Sequence, residues 1–121
     1  MKTLAIRGAT VADYNNMTAI SDATCELFSK IIEENNLNAE DIISATFTMT
    51  NDLDAIYPAK CVREYLGYKD IPFLCYQELN IQGSLRKCIR ILMLINSELN
   101  KNDIKHIYLK EAKKLRPDKY C

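Results

Sequence analysis

The sequence lacks several residue types and patterns that define common classes of protein. It has no Trp, three Gly, three Pro and a single histidine, His106, in 121 residues. One histidine rules out a multi-histidine metal site within one chain, and five cysteines without a CxxC pair give little basis for a zinc site. The three glycines lie far apart, so a glycine-rich phosphate loop is excluded. We therefore expect no metal and no cofactor.

An excess of charge of either sign is also missing. Sixteen basic residues balance sixteen acidic ones, and a neutral chain is a poor candidate for nucleic-acid binding, which depends on phosphate neutralisation. No stretch approaches the roughly 20 apolar residues of a membrane span. No apolar region follows Met1 and Lys2 as it would in a signal peptide. With an odd number of cysteines as well, we expect reduced thiols in a cytoplasmic protein that binds neither membrane nor nucleic acid.

What remains is the composition of an ordinary globular domain. Hydrophobic residues make up 48% and charged residues 26% of the chain, so we expect residues 1–121 to fold as one domain. Apolar residues at helical spacing predict one long helix over Met17–Glu34, with Asn16 as its N-cap. Shorter helical turns are predicted at 39–41, 58–67 and 111–116.

Runs of apolar and β-branched residues predict five strands, at 3–10, 42–50, 71–75, 86–95 and 104–109. In the second strand, simple alternation puts Ile43 on the face of Phe47, and Ile42 on the face of Thr48. The fourth strand is nearly continuous in Ile and Leu, which is typical of a strand buried on both faces or of a short buried helix. Together these elements predict an α+β fold.

A single long helix can cover only one face of a five-stranded sheet. The fourth strand is apolar on its other face as well, so that face needs a partner to bury it. Because no second layer of helices remains in the sequence, we expect an oligomer in which the sheets of neighbouring subunits pack together.

Arg90 stands in the middle of the fourth strand, where it shares a face with Cys88 and Leu92. A guanidinium keeps its proton, so burying it without an anion costs several kcal/mol. Two partners are possible for it. One is Glu78, one loop upstream, and the other is a bound anionic substrate.

Other polar residues also have more than one interpretation. Arg7 is either a solvent-exposed charge on an edge strand or an anion contact, and Gly8 allows a bulge or a close backbone approach. Lys60 and Arg63 are neighbours on a predicted helix, where such cations are usually solvated. His106 is more typical of a neutral, hydrogen-bonded side chain than of a catalyst.

Eight short segments, taken in order along nearly the whole chain, resemble the monofunctional chorismate mutases of the AroH class, the trimeric bacterial type. They are IRGAT at 6–10, IIEEN at 31–35, YPAK at 57–60, VRE at 62–64, CYQE at 75–78, KCIR at 87–90, HIYL at 106–109 and LRPD at 115–118. No single segment is a strong signature, and the resemblance lies in their order and spacing. It implies a mixed five-stranded β-sheet with one long helix and short helices on one face. Three copies would assemble into a trimeric pseudo α/β-barrel, with an active site in each cleft between subunits.

The resemblance also implies a reaction, the Claisen rearrangement of chorismate to prephenate on the route to phenylalanine and tyrosine, which needs no cofactor or metal. By resemblance, Arg90 stabilises the negative charge that grows on the ether oxygen. Arg7 and Tyr108 hold the side-chain carboxylate together with Arg90. Glu78 accepts a hydrogen bond from the substrate hydroxyl, which the backbone of Cys75 also contacts.

The implied substrate-binding positions extend to the walls and mouth of the cleft. The wall positions are Tyr57, where the resemblance suggests Phe, and Ala59, Phe73, Leu74 and Leu115. Lys60 and Arg63 are cations that the neighbouring subunit contributes, and Arg116 is a tail residue that closes on the ligand. The residues leave two rivals open, a non-catalytic trimeric module that binds a small dicarboxylate and a deaminase-like hydrolase on a similar trimeric barrel.

Overall fold

The structure is a computed structural model that describes residues 1–115. Within that range five strands form one mixed sheet in the order β3-β2-β4-β1-β5. β4 pairs antiparallel with both β1 and β2, whereas β1 and β5, and β2 and β3, are parallel pairs. The strands are β1 (Lys2–Val11), β2 (Ile42–Met49), β3 (Phe73–Gln77), β4 (Cys88–Ser97) and β5 (Ile107–Tyr108). The predicted α+β class is confirmed.

The helices also follow the sequence pattern closely. The long helix α1 (Met17–Glu34) has the predicted bounds, and α2 (Pro58–Cys61) continues into a π-helical turn at Val62–Leu66 that ends at Gly67. Within residues 1–115, none of the helices combines the length and the apolar content that crossing a membrane requires. Short 3-10 turns occur at Ala39–Asp41, Lys101–Asp103 and Lys110–Leu115.

Local side-chain chemistry sets the ends of α1. The side chain of Asn16 accepts a hydrogen bond from the backbone N–H of Ala19 at 2.7 Å, which satisfies a donor of the first turn. The helix ends at Asn35, and Asn36 follows with a left-handed φ of 51°. The buried face of the helix packs on β1 and β4, and its buried apolar residues are Ile20, Ala23, Leu27, Phe28 and Ile31.

Gly8 lets α1 lie close against β1. A Cβ built at this position would lie 2.7 Å from Cδ1 of Ile31 and 3.1 Å from Cδ1 of Leu27. The register of β1 with β4 runs through Gly8 without a shift. Of the two roles predicted for this glycine, the structure therefore has the close approach and not the bulge.

β2 contains a β-bulge that the alternation of its sequence did not predict. Its register with β4 slips by one residue between Ile42 and Ser44, which makes Ile43 the extra residue. Ile42 is therefore buried on the face of Phe47, while Ile43 is 37% exposed. The predicted faces of Ile42 and Ile43 were wrong, because the period of two is broken at this point.

β4 is buried on one face and not on both. Ile91 and Met93 face α1 and are buried, whereas Arg90 and Leu92 point to the opposite side and are exposed. The predicted burial is thus present on one face of the single chain, and burial of the other face by a neighbouring subunit stays a prediction. Within residues 1–115 the layer on that side consists of the turn Lys110–Leu115 and of Leu85 from the loop before β4, both at the β1–β5 end. We call the side of the sheet that carries Arg90 and Leu92 the open face.

The ends of two strands differ from prediction for identifiable reasons. β3 starts at Phe73 and not at 71, because Pro72 has no N–H for the ladder, although its carbonyl still accepts from β2. β5 starts at Ile107 and not at 104, because the backbone of Lys105 is hydrogen-bonded to the side chain of Asn35. β1 lies between β4 and β5, so Arg7 is not on an edge strand.

Candidate active site

One cavity on the open face, of about 310 Å³, brings together five of the predicted site residues. The register of the sheet explains why. Thr48 of β2 lies opposite Arg90 of β4, and Arg90 lies opposite Ala9 of β1. Ala9 in turn lies opposite Tyr108 of β5, and residues paired across neighbouring strands point to the same face. The predicted residues that line the cavity are Arg7, Glu78, Arg90, Tyr108 and Leu115.

An ion pair between Arg90 and Glu78 forms one side of this cavity. Nε of Arg90 lies 3.4 Å from Oε2 of Glu78, and the hydroxyl of Thr48 donates a hydrogen bond to the same carboxylate oxygen. The backbone N–H of Glu78 donates to the carbonyl of Met49 at 2.8 Å, which extends the β2–β3 pairing past the end of β3. The Arg90 side chain is 44% exposed and that of Glu78 20%. Of the two partners predicted for Arg90, the structure therefore pairs it with Glu78. Both side chains still line the cavity.

The opposite side of the cavity is built by β1, β5 and the final turn. The side chain of Arg7 is exposed on the open face, and its backbone N–H donates to Nδ1 of His106 at 2.9 Å. Tyr108 is buried in a small cluster with Ala9 and Ala112, against which Leu115 also packs. This apolar support fixes the phenol ring as a wall of the cavity.

The cysteines nearest the predicted site residues are held as neutral thiols. Burial raises the pKa of Cys88 and outweighs the nearby positive charge of Arg90. Burial likewise raises the pKa of Cys75, although the backbone of Ala59 and the charge of Arg63 oppose this. Because the thiolate is the reactive form of cysteine, neither side chain is prepared to act as a nucleophile.

The remaining predicted residues do not line this cavity. Ala59 is buried, and the ring of Phe73 packs in the core with its centroid 5.2 Å from that of Phe47. Leu74 is 60% exposed on the open face of β3. Arg116 lies outside the described residues. The set on the β3 side of the molecule comprises Tyr57, Ala59, Lys60, Arg63, Phe73, Leu74 and Cys75, of which Tyr57, Lys60, Arg63 and Leu74 are exposed.

Sequence reasoning missed two threonines of the cavity. Thr46 and Thr48 both line it, and Thr48 holds the carboxylate of Glu78. The alternation of β2 put both on one face, but it could not show which β4 residue lies opposite them. Among residues 1–115, no three His, Cys, Asp or Glu side chains converge as a metal site, and the absence of a metal stays a prediction.

The chain matches known proteins over nearly its whole length. Residues 3–119 match the family described as chorismate mutase type I. The chain is 41% identical over 113 residues to chorismate mutase AroH of Bacillus subtilis (strain 168), covering 93% of this chain and 89% of the relative. It is 38% identical over 114 residues to chorismate mutase AroH of Thermus thermophilus, covering 93% of each. A structure of a chorismate mutase from Clostridium thermocellum superposes with a TM-score of 0.89 at 43% identity, covering 92% of this chain and 98% of that one. The chain therefore belongs to the type I chorismate mutase family, as the order of its short segments predicted.

Proposed function

We propose that this enzyme rearranges chorismate to prephenate in the cavity lined by Arg7, Glu78, Arg90 and Tyr108, on the route to phenylalanine and tyrosine. The observation that carries the proposal is the meeting of two guanidinium groups, a carboxylate and a phenol around one cavity of about 310 Å³. The volumes of small-molecule binding sites range upwards from about 300 Å³, so this cavity has room for a compact substrate. Family membership supplies the identity of the reaction.

Conformer selection is the first contribution of the site. Chorismate is a dianion that must fold into a compact, chair-like geometry before it reacts. Arg7 and Arg90 project from neighbouring strands and are the cations that line this cavity among residues 1–115. Tyr108 offers a hydroxyl on the same side. Holding the reactive conformer converts binding energy into orientation, which lowers the entropic part of the barrier.

Electrostatic stabilisation of the transition state is the second contribution. The ether C–O bond breaks ahead of C–C formation, so negative charge grows on the ether oxygen and positive charge on the ring. A cation fixed beside that oxygen binds the transition state more strongly than the ground state. Arg90 is suited to this role because Glu78 holds its Nε, and Thr48 holds Glu78 in turn. The terminal nitrogens of the guanidinium then carry the donors that a substrate oxygen meets.

The decisive experiment replaces Arg90 by citrulline, its neutral isostere, by semisynthesis. Losing one preorganised cationic donor should lower kcat by about 10²–10³-fold, on the scale measured for a lost oxyanion donor. Arg86→Gln is the matched control, because Arg86 pairs with Asp52 at 3.4 Å and does not line the cavity. Chorismate loss is followed by its ultraviolet absorbance. A citrulline variant with full kcat would refute the role given to Arg90.

The same assay on the unaltered protein separates the mutase from its rivals. A non-catalytic dicarboxylate module would bind chorismate without consuming it, and a deaminase-like hydrolase would act on another substrate. The comparisons give neither rival any support. A rate of chorismate loss no faster than in buffer would reject the mutase.

We also propose that the enzyme is a homotrimer in which the β3 side of one subunit closes the cavity of the next. The support is the exposed apolar surface of the open face, where Leu92 is 45% and Leu74 60% exposed. A patch of this kind in a protein needs a partner to bury it. In the trimer, the exposed cations Lys60 and Arg63 would face the second carboxylate of the substrate from the neighbouring subunit.

Mixed trimers test the shared site directly. Arg90→Ala and Arg63→Ala should each be nearly inactive alone, because each removes one side of every site. Co-expressed in equal amounts, they should recover about a quarter of the wild-type activity, since random assembly in a cyclic trimer leaves that fraction of sites intact on both sides. Light scattering gives the mass of each assembly. Activity no greater than the sum of the two variants, or a monomeric mass, would contradict the shared site.

A cytoplasmic location is part of the same proposal. Cys25, Cys61, Cys75 and Cys88 are free thiols, which suits a reducing compartment. The substrate and product of the reaction are small metabolites, and the reaction as proposed involves neither membrane nor nucleic acid. Fractionation of cells with an antibody to the protein is the direct measurement.

A further inference from the structure

The backbone N–H of Arg7 has an unusual partner at the edge of the β1–β5 pair. It donates to Nδ1 of the His106 side chain at 2.9 Å. In a parallel pair such an N–H normally meets a backbone carbonyl of the neighbouring strand. β5 pairs with β1 through Gly8–Ile107 and Ala9–Tyr108, so the imidazole takes the place of a carbonyl just before this pairing starts.

The path of the chain before β5 explains why an imidazole takes the place of a backbone carbonyl. The backbone N–H of Lys105 donates to Oδ1 of Asn35 at 2.8 Å, and its carbonyl accepts from Nδ2 of Asn35 at 2.9 Å. Asn35 is the C-cap residue of α1, so the chain at Lys105 is bonded to the end of the helix and not to β1. His106 is the next residue, and its ring spans the gap back to Arg7.

The bond also defines the state of the ring. Nδ1 accepts a hydrogen bond only when it carries no proton, so the neutral ring has its hydrogen on Nε2. β4 cannot replace this acceptor, because alternate residues of a strand direct their N–H groups to opposite neighbours. The N–H of Arg7 points towards β5, so β4 holds β1 from one side and His106 holds it from the other.

We propose that His106 is a positioning residue for the reaction, which fixes the backbone of Arg7 and thereby aims its guanidinium at the substrate carboxylate. The inference rests on the substrate-binding role proposed above for Arg7. Since that contact forms with the substrate and persists in the transition state, weakening it changes affinity more than turnover. His106 itself need not touch the substrate.

Three substitutions of His106 test whether its hydrogen-bond acceptor is what matters. His106→Leu removes it and leaves the Arg7 N–H unpaired, so KM for chorismate should rise about tenfold with kcat changed much less. His106→Asn places an amide oxygen near the position of Nδ1 and should restore KM. His106→Gln carries its acceptor one bond further along the side chain and should not. The Gln and Asn variants decide the question even where the Leu variant does not fold.

Two further variants separate positioning from a loss of stability. Asn16→Ala removes the N-cap of α1, so it lowers the unfolding temperature but should leave KM unchanged. Arg7→Gln should raise KM, and adding His106→Leu to it should raise KM little further, because both act through one contact. A wild-type KM in His106→Leu, a KM in His106→Asn as high as in His106→Gln, or multiplying effects in the double variant would each overturn the inference. A wild-type kcat/KM in Arg7→Gln would instead refute the proposed cavity.

Discussion

Replacing Gly8 by Ala adds a single methyl group at the place where α1 packs against β1. That Cβ would lie 2.7 Å from Cδ1 of Ile31, 3.1 Å from Cδ1 of Leu27 and 3.3 Å from the carbonyl oxygen of Ile107. Carbon atoms in contact normally stay about 3.5–4.0 Å apart. Ile31 and Leu27 are fully buried, so neither has solvent into which its side chain could turn. The ends of these two side chains must therefore shift within the packed core, or the helix must move.

The size of the effect follows from two opposing contributions. Overpacking a filled core costs about 1–3 kcal/mol. Replacing Gly by Ala in a strand returns about 0.5–1 kcal/mol, because Ala has less backbone freedom to lose on folding. We expect Gly8→Ala to lower the free energy of unfolding by about 1–2 kcal/mol, or the melting temperature by about 4–8 °C for a chain of this size.

Ile31→Val provides the rescue, because it deletes the Cδ1 atom that the new Cβ would meet first. Alone, Ile31→Val should cost about 0.5–1.5 kcal/mol. Combined with Gly8→Ala, it relieves the overlap, so the double variant should be at least as stable as Gly8→Ala. Urea unfolding followed by circular dichroism, at one protein concentration throughout, measures all four proteins. Strictly additive costs, or a Gly8→Ala variant as stable as the parent, would refute the steric account.

Two further predictions concern titration. Burial, with smaller contributions from the charges of Cys61 and Asp22, raises the pKa of Cys25 from 9.0 to about 11. Alkylation of Cys25 in the folded protein, read by mass spectrometry, should therefore be slow at neutral pH and accelerate as the pH approaches this value, and rapid neutral labelling would argue against it. The contribution of this shift to the free energy of unfolding should be complete below the pKa of Cys25 in the unfolded protein. It should be lost as the pH rises through the pKa of Cys25 in the folded protein. For Asp52, burial acts to raise the pKa, but hydrogen bonds from Thr50 and the Lys87 backbone help to hold it below its usual range. Asp52→Asn should cost about 1–2 kcal/mol at neutral pH, by urea unfolding. This cost should shrink as the pH falls through the folded pKa of Asp52, and a cost independent of pH would contradict the reasoning.

Elements defined by local chemistry could be predicted from the sequence. The bounds of α1 follow from the spacing of its apolar residues and from the cap residue Asn16, all within one segment. The end of the second helical segment at Gly67 follows from the left-handed φ of 80° that glycine tolerates. These features need no information about distant parts of the chain.

Features that depend on pairing between distant segments could not be predicted. The partnership of Thr48 with Glu78 requires the register of β2 against β4, which the β2 sequence does not contain. In the bond from Arg7 to His106, a side chain takes the place of a backbone acceptor of the β-ladder, and no sequence periodicity predicts this. The pattern of β4 also could not show what covers its second face, since an apolar run is the same whether its own chain or another one covers it.

The cavity residues themselves were predicted from the resemblance to a family and not from composition or spacing. From the residues alone, only the two possible partners of Arg90 could be predicted, and in the structure Arg90 pairs with Glu78. That reasoning worked because a guanidinium in an apolar strand is a local conflict that requires an anion. Arg7 and Tyr108 created no such conflict in the sequence, so their meeting with Arg90 could not be derived from it.

The extra residue in β2 has a consequence for how this enzyme tolerates changes in length. Because Ile43 is accommodated between Ile42 and Ser44, its loss would leave a regular strand in which Thr48 still faces the cavity. Deleting one residue between Ser44 and Thr48 would instead reverse the faces of the residues before the deletion, so that Ile42 would point to solvent. Single-residue deletions compatible with a working site should therefore concentrate at this one position, upstream of the threonines.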